Sequence, residues 1–159
     1  VEIVVLDPAT ETLLRKSFSA QGAMRALGAA ITSVEHGVCR LELPHHEGAL
    51  QQHGYFHGGI VGALADSAAG YAANSVLMPS REVLTVEYKI NFLSPAKGER
   101  LCAEGRVVKS GRTLTVVAVE VWVETNLQRT ACALAQMTMI AIESQAHQAL
   151  ATTGDDNNG

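Results

Sequence analysis

The spacing of apolar and polar positions changes period halfway along the chain. Residues 10–28, TETLLRKSFSAQGAMRALG, place Leu13, Leu14, Phe18, Met24 and Leu27 near helical intervals. That spacing predicts one amphipathic helix, capped by Thr10 and closed at Gly28. AITSVEHGVCRLELP then reads as two strands bent at His36-Gly37 and stopped by Pro44. PHHEGALQQHGYF is a polar loop, and a second helical pattern runs from about Gly58 to Val76, closed by MPSRE. In VLTVEYKINFL the period becomes two: Leu84, Val86, Tyr88, Ile90 and Phe92 alternate with Thr85, Glu87, Lys89 and Asn91. This predicts a half-buried strand. LCAEGRVVKS, RTLTVVAVEVWVE and RTACALAQMTMIAI predict three more, joined at Ser110-Gly111 and Asn126-Leu127-Gln128. The order is that of a single α+β domain over residues 1–143, with one long helix for the sheet to cover. Residues 144–159, ending TTGDDNNG, are expected to form a frayed tail.

Composition narrows the class. A chain of 159 residues suits one domain with a real core, and sparse aromatics leave much of the packing to Ala, Val and Gly. A formal charge of −4 argues against a general nucleic-acid binder, while leaving room for local cations that hold an anionic ligand. Cys39, Cys102 and Cys132 are scattered without CxxC spacing, which favours a reduced, cytoplasmic compartment. No apolar run reaches membrane-spanning length, and VEIVVLDPATETLLRK lacks the basic head and apolar stretch of a signal peptide.

The second helix raises a chemical question. It is rich in Gly and Ala, yet carries Asp66 in its middle and opens on His57-Gly58-Gly59. A glycine costs about 1 kcal/mol against alanine inside a helix, so its small residues suggest a close approach of backbone or sheet. Uncovered amides in the first turn, at the positive end of the dipole, can polarise a carbonyl. A carboxylate can attack an acyl carbon or deprotonate water. Asp66 is therefore either a solvated helix residue or a catalytic one. Eight residues at 1.5 Å each put Gly58 and Asp66 about 12 Å apart, too far for one small carbonyl. Two antiparallel copies of the helix would bring them together, so a functional pair implies a site shared between protomers.

HGGIVGALADSAAGYAAN followed by LTVEYKINFLSPAKGE resembles the PaaI-type acyl-CoA thioesterases of the hotdog-fold superfamily. The resemblance spans roughly residues 15 to 142. It implies a long central helix wrapped by a five- or six-stranded antiparallel sheet, a homodimer with shared active sites, and dimers often paired again. It also implies metal-independent hydrolysis of acyl-CoA, with CoA as part of the substrate and no separate cofactor. By position, Asp66 matches the catalytic acid (nucleophile or general base) and Gly58 the amide that polarises the carbonyl. His57 matches the motif histidine, Gln51 an Asn or Gln that contacts carbonyl or water, and Thr85 a hydroxyl that positions the water. Gly70 stands where one aromatic-acyl branch has a Thr. VVKSGRTL resembles the hairpin that meets the nucleotide, making Lys109, Ser110, Gly111 and Arg112 candidates, with Lys97 a weaker one. A solvated turn accounts for the hairpin equally well.

Other constellations explain less. His45, His46, His53 and His57 are close in sequence but fit no metal signature, and loop histidines are the default reading. Trp122 and the cysteines are expected to pack. An acyl-thioester hydratase or dehydratase of the same fold would need a differently patterned helix, and an acyl-CoA-sensing protein usually carries an added DNA-binding segment. The acyl group is open between aliphatic and aromatic, with a medium or long aliphatic chain the expectation.

Overall fold

The computed structural model describes residues 4–144; the expected tail, from 145 onward, lies outside them. Helix α1, Pro8–Ala20, starts where the Asp7 carboxylate accepts the Thr10 N–H at 3.0 Å, with Pro8 preset in the first turn. The cap is thus Asp7 and not Thr10, which is buried inside the helix. The single helix expected to reach Gly28 is broken. Gln21 is extended (φ −69°, ψ 109°), and α2, Gly22–Leu27, follows as a separate short helix. Gly22 weakens helix propensity at the break, and the Gln21 side chain is committed to the next helix, donating to Tyr71 Oη at 3.3 Å. Gly28 ends α2 in the left-handed region, as its position suggests.

Strands β1, Ala30–Glu35, and β2, Val38–Pro44, form the expected hairpin, turning at Gly37 with φ 78°. The long helix α3 runs Gly58–Leu77. Strands β3, Arg81–Phe92, β4, Arg100–Ser110, β5, Leu114–Thr125, and β6, Gln128–Glu143, complete one antiparallel sheet in the order β1-β2-β4-β5-β6-β3. One face of α3, through Val61, Leu64, Ala65, Ala68 and Ala72, is buried against Leu101, Ala103, Val117, Val119, Met137 and Met139. The close approach inferred from small residues is real. A Cβ on Gly105 of β4 would stand 2.5 Å from the Ala68 carbonyl oxygen, and one on Gly62 of α3 would stand 3.1 Å from the Tyr88 hydroxyl. On the far face, Trp122 is buried beneath Arg129, whose guanidinium lies 3.6 Å from the ring centroid.

Strand β3 departs from strict alternation. Its pairing with β6 shifts between Thr85 and Glu87, so Val86 is the extra residue of a bulge. Thr85 lies opposite Met139 and Tyr88 opposite Met137, both on the buried side of β6. The bulge therefore turns Thr85 onto the helix side and moves Leu84 to the outer face. Leu84, Val86, Tyr88 and Phe92, expected to be half-buried, are each about half exposed in the single chain, because β3 is an edge strand paired only with β6.

Candidate active site

The N-terminus of α3 is built by its own histidine. His57 Nδ1 accepts the Gly59 N–H at 2.9 Å, and the His57 carbonyl accepts from Ile60 and Val61. His57 thus caps the helix and takes one free amide. The Gly58 N–H is left without an acceptor among the described residues. Gly58 lines, beside Phe92, a cleft of about 390 Å³ that Gln51, Tyr55 and Ser94 also line. Gln51 is pinned there by its backbone, donating to the Tyr55 carbonyl at 2.9 Å, while its side-chain oxygen accepts the His53 N–H.

Asp66 stands further down α3, half-buried, and Thr85 Oγ1 donates to its Oδ1 at 2.7 Å. Both line a second cleft of about 530 Å³, bounded by α1 and α2 on one side and β3 on the other. Here the Val86 bulge determines local chemistry. Without it Thr85 would face the outside of the sheet, and the carboxylate would lose its hydroxyl partner. Sequence candidates therefore fall at two separate clefts of one chain: Gln51 and Gly58 at one, with His57 capping the helix beside them, and Asp66 and Thr85 at the other.

The hairpin candidates lie elsewhere. Lys109, Ser110 and Arg112 are exposed at the β4–β5 tip, where the Gly111 N–H donates to the Leu114 carbonyl at 2.8 Å. Arg81 reaches this tip and donates to the Arg112 carbonyl at 2.8 Å. It stands four residues along β3 from Thr85, about 13 Å of strand. Sequence reading missed Arg81, which joins the hairpin only through tertiary structure. It also missed Ser17, Gln21, Ser67 and Tyr71 beside Asp66. Tyr71 was the available signal, as the one aromatic residue in a helix of small ones. Lys97 is exposed on a separate loop.

The loop histidines have separate tasks. His45 packs edge-on against Phe56, His46 shares a hydrogen bond with the Leu27 carbonyl, and His57 caps α3. No three His, Cys, Asp or Glu side chains gather as a metal site among the described residues. Cys39, Cys102 and Cys132 are buried and unpaired. Burial pushes the first two thiols up to about 12 and Cys132 to about 11, so they are structural.

One long helix against a six-stranded antiparallel sheet, opening on His-Gly-Gly with an acid in mid-helix, defines a hotdog-fold protein with the layout of a thioester hydrolase. The Thioesterase superfamily matches residues 53–130. A thioesterase family protein of Silicibacter pomeroyi is 41% identical, over 85% of this chain and 99% of that one, with a TM-score of 0.82. The PaaI protein of E. coli, from the phenylacetic acid degradation operon, is 25% identical over 86% and 96%, with a TM-score of 0.76. The 1,4-dihydroxy-2-naphthoyl-CoA hydrolase of Listeria monocytogenes is 29% identical over 66% of this chain and 85% of its own. The chain belongs to the thioesterase superfamily.

Proposed function

We propose that this protein hydrolyses acyl-CoA thioesters to the free acid and CoA, in active sites shared by two antiparallel α3 helices. The observation that carries the reading is the division of the site. Asp66, held by Thr85 at 2.7 Å, and the free Gly58 amide lie in different clefts of one chain. Pairing two chains with α3 antiparallel completes two sites at once. The Gly58 N–H of one protomer polarises the thioester carbonyl, and Asp66 of the other acts on its carbon.

Thr85 holds one carboxylate oxygen, so Asp66 works through the other. As general base it takes a proton from water, whose oxygen bonds to the acyl carbon. The resulting oxyanion is stabilised by the Gly58 amide. Collapse breaks the C–S bond and releases CoA as thiolate, which takes up the proton. As nucleophile the same oxygen would bond to the acyl carbon, breaking the C–S bond and expelling CoA thiolate. Water would then open the resulting anhydride to the free acid and regenerate Asp66. The Gln51 amide, on the Gly58 side, contacts the carbonyl or the water. This chemistry draws on protein groups, water and the thioester, with CoA supplied by the substrate.

Three features support the assembly and the CoA class. Strand β3 has partners on one side only and exposes Val86, Tyr88 and Phe92, the pattern of an edge that a second copy would cover. Leu84, Ile140 and Leu114 lie side by side on the outer face across β3, β6 and β5, an apolar patch suited to a second pairing of dimers. Lys109, Arg112 and Arg81 gather cations at the hairpin tip, where Ser110 and Gly111 present a hydroxyl and an open turn to nucleotide phosphates. The Listeria relative is named as a CoA-ester hydrolase, which favours the same substrate class. The unpaired cysteines favour the cytoplasm as its compartment.

The test is thiol release from a panel of acyl-CoAs, with and without chelator, by the wild type and by Asp66→Asn. Release that resists the chelator and collapses in the variant is expected. Binding of acyl-CoA without turnover would overturn the reading in favour of a sensor.

A further inference from the structure

Helices α1 and α2 bound another cleft on the side away from Asp66. Arg15, Phe18 and Ser19 of α1, Arg25 of α2, and Ala29, Ala30 and Ile31 leading into β1 enclose about 410 Å³. Small-molecule sites typically span about 300–1,000 Å³. At about 100° per residue, Ser17 lies about 200° round α1 from both Arg15 and Ser19. The helix therefore turns Ser17 to the cleft of Asp66 and Gly70, and Arg15 and Ser19 to this one.

The lining joins two cations to an apolar wall. Arg15 Nε is held by Glu11 at 2.8 Å, and its Nη1 donates to the Ile31 carbonyl at 3.3 Å, which leaves Nη2 without an acceptor among the described residues. Arg25 Nη1 donates to the Ser19 carbonyl at 3.1 Å, and Arg25 has no acidic partner among the described residues. Each guanidinium is thus pinned by one bond to backbone and keeps N–H groups to spare, in a chain whose formal charge is −4. Phe18 is buried, and Ala29 and Ile31 are half-buried, so most of the remaining wall is hydrocarbon.

We propose that the cleft between α1, α2 and β1 binds a small organic carboxylate with a compact apolar body. A guanidinium offers a planar fork that fits a carboxylate, and the apolar wall takes up the body of the acid. Inorganic phosphate would meet the arginines and leave the wall wet. A neutral alcohol would cover the wall and leave the arginines unpaired. An acid held by both Arg15 and Arg25 ties α1 to α2 across the break at Gln21. On the far side of that break Gln21 Nε2 donates to Tyr71 Oη at 3.3 Å, and Gln21 Oε1 accepts from Ser67 Oγ at 3.5 Å. Phe18 stands between the two clefts, its ring edge-on to Tyr71 at 5.3 Å. The bound acid therefore firms the wall of the Asp66 cleft from behind. The acid freed by thioester hydrolysis has this chemistry, yet the site does not depend on the hydrolase reading.

Ligand-observed NMR titration of benzoate and hexanoate against the full chain tests this, with benzyl alcohol, hexanol and inorganic phosphate for comparison. Both acids should bind about tenfold or more tighter than the alcohols or phosphate, the worth of a charge-assisted hydrogen bond. Arg15→Gln and Arg25→Gln should each weaken the acids by about five- to tenfold. Ala30→Glu should do the same, because it brings a carboxylate to an exposed position of the cleft and leaves both arginines in place. Hydrogen exchange gives a readout of the tie between helices. The Gln21 N–H donates to the Phe18 carbonyl and the Arg25 N–H to the Gln21 carbonyl, and both amides should exchange more slowly with acid bound. Acids that bind no better than the alcohols, or whose affinity survives all three substitutions, overturn the proposal. Phosphate that binds as tightly overturns the carboxylate class, and unchanged exchange overturns the tie across Gln21. None of these readouts needs turnover, so loss of the hydrolase reading would show separately, in thiol release.

Discussion

Thr85 and Asp66 are nineteen residues apart in sequence and joined by a 2.7 Å hydrogen bond between an edge strand and the central helix. The bond exists because the Val86 bulge turns Thr85 towards α3. A hydroxyl that donates to one carboxylate oxygen fixes the plane of the carboxylate and leaves the other oxygen for chemistry. Asp66→Asn should therefore lower kcat by about 10²- to 10⁴-fold, the span of general acid–base catalysis. Thr85→Val, which keeps the shape and removes the donor, should cost about 10- to 100-fold in kcat with little change in KM. Steady-state kinetics on one acyl-CoA checks both, and unaltered kcat in Thr85→Val would remove the hydroxyl from the mechanism.

Shared sites make a sharper prediction. In the homodimer proposed above, Asp66→Asn and Gln51→Ala would each cripple both sites, but at opposite halves. In a mixed dimer one site collects both defects and the other collects none. Co-expressed, the two inactive variants should regain about a quarter of wild-type activity, since half the dimers are mixed and half their sites intact. Mixtures no more active than the separate variants would place the whole site in one chain.

Two glycines should respond to alanine in opposite ways. Gly105→Ala drives a Cβ into the Ala68 backbone of α3 and should lower stability by about 1–3 kcal/mol or more, visible as a fallen melting temperature. Gly70→Ala meets open space and gains helix propensity, so it should raise stability by up to about 1 kcal/mol while reducing kcat/KM. A Gly70→Ala protein that is both more stable and fully active would show that substrate does not pass over this residue.

The thiols set a pH limit. Desolvation raises Cys39 and Cys102 from 9.0 to about 12 and Cys132 to about 11. Above pH 9 the unfolded chain loses these protons while the folded chain keeps them. Stability is thus fully present below about pH 9 and falls as pH rises towards 11–12. Urea midpoints should decline across that window. Thiol reagents at pH 8 should label the native protein far more slowly than the denatured one, whose three cysteines all react.

Long-period features were legible in the sequence because they are local. The extent of α3, the β1–β2 turn at Gly37 and the antiparallel run of β3 to β6 each follow from spacing within a few residues. The division of the candidate site also follows from helix geometry, since the rise between Gly58 and Asp66 is fixed. What escaped depends on distant partners. The Val86 bulge is defined by register against β6, some fifty residues away, and nothing inside VLTVEYKINFL marks it. The break at Gln21 joins a weak local propensity at Gly22 to bonds with Ser67 and Tyr71, which the stripe of leucines conceals. Asp7 displaced Thr10 as cap because both can accept a hydrogen bond there, and Pro8 settles which comes first.

Strand β3 has a consequence for how activity depends on protein concentration. The hydroxyl that orients the Asp66 carboxylate sits on a strand with one neighbour in its own chain, β6, and an open flank on the other side. Whatever firms that flank also firms the geometry proposed for catalysis. Dilution that separates the proposed dimer would therefore remove the Gly58 amide and loosen Asp66 in the same event, and specific activity should fall more steeply than the dimer fraction alone.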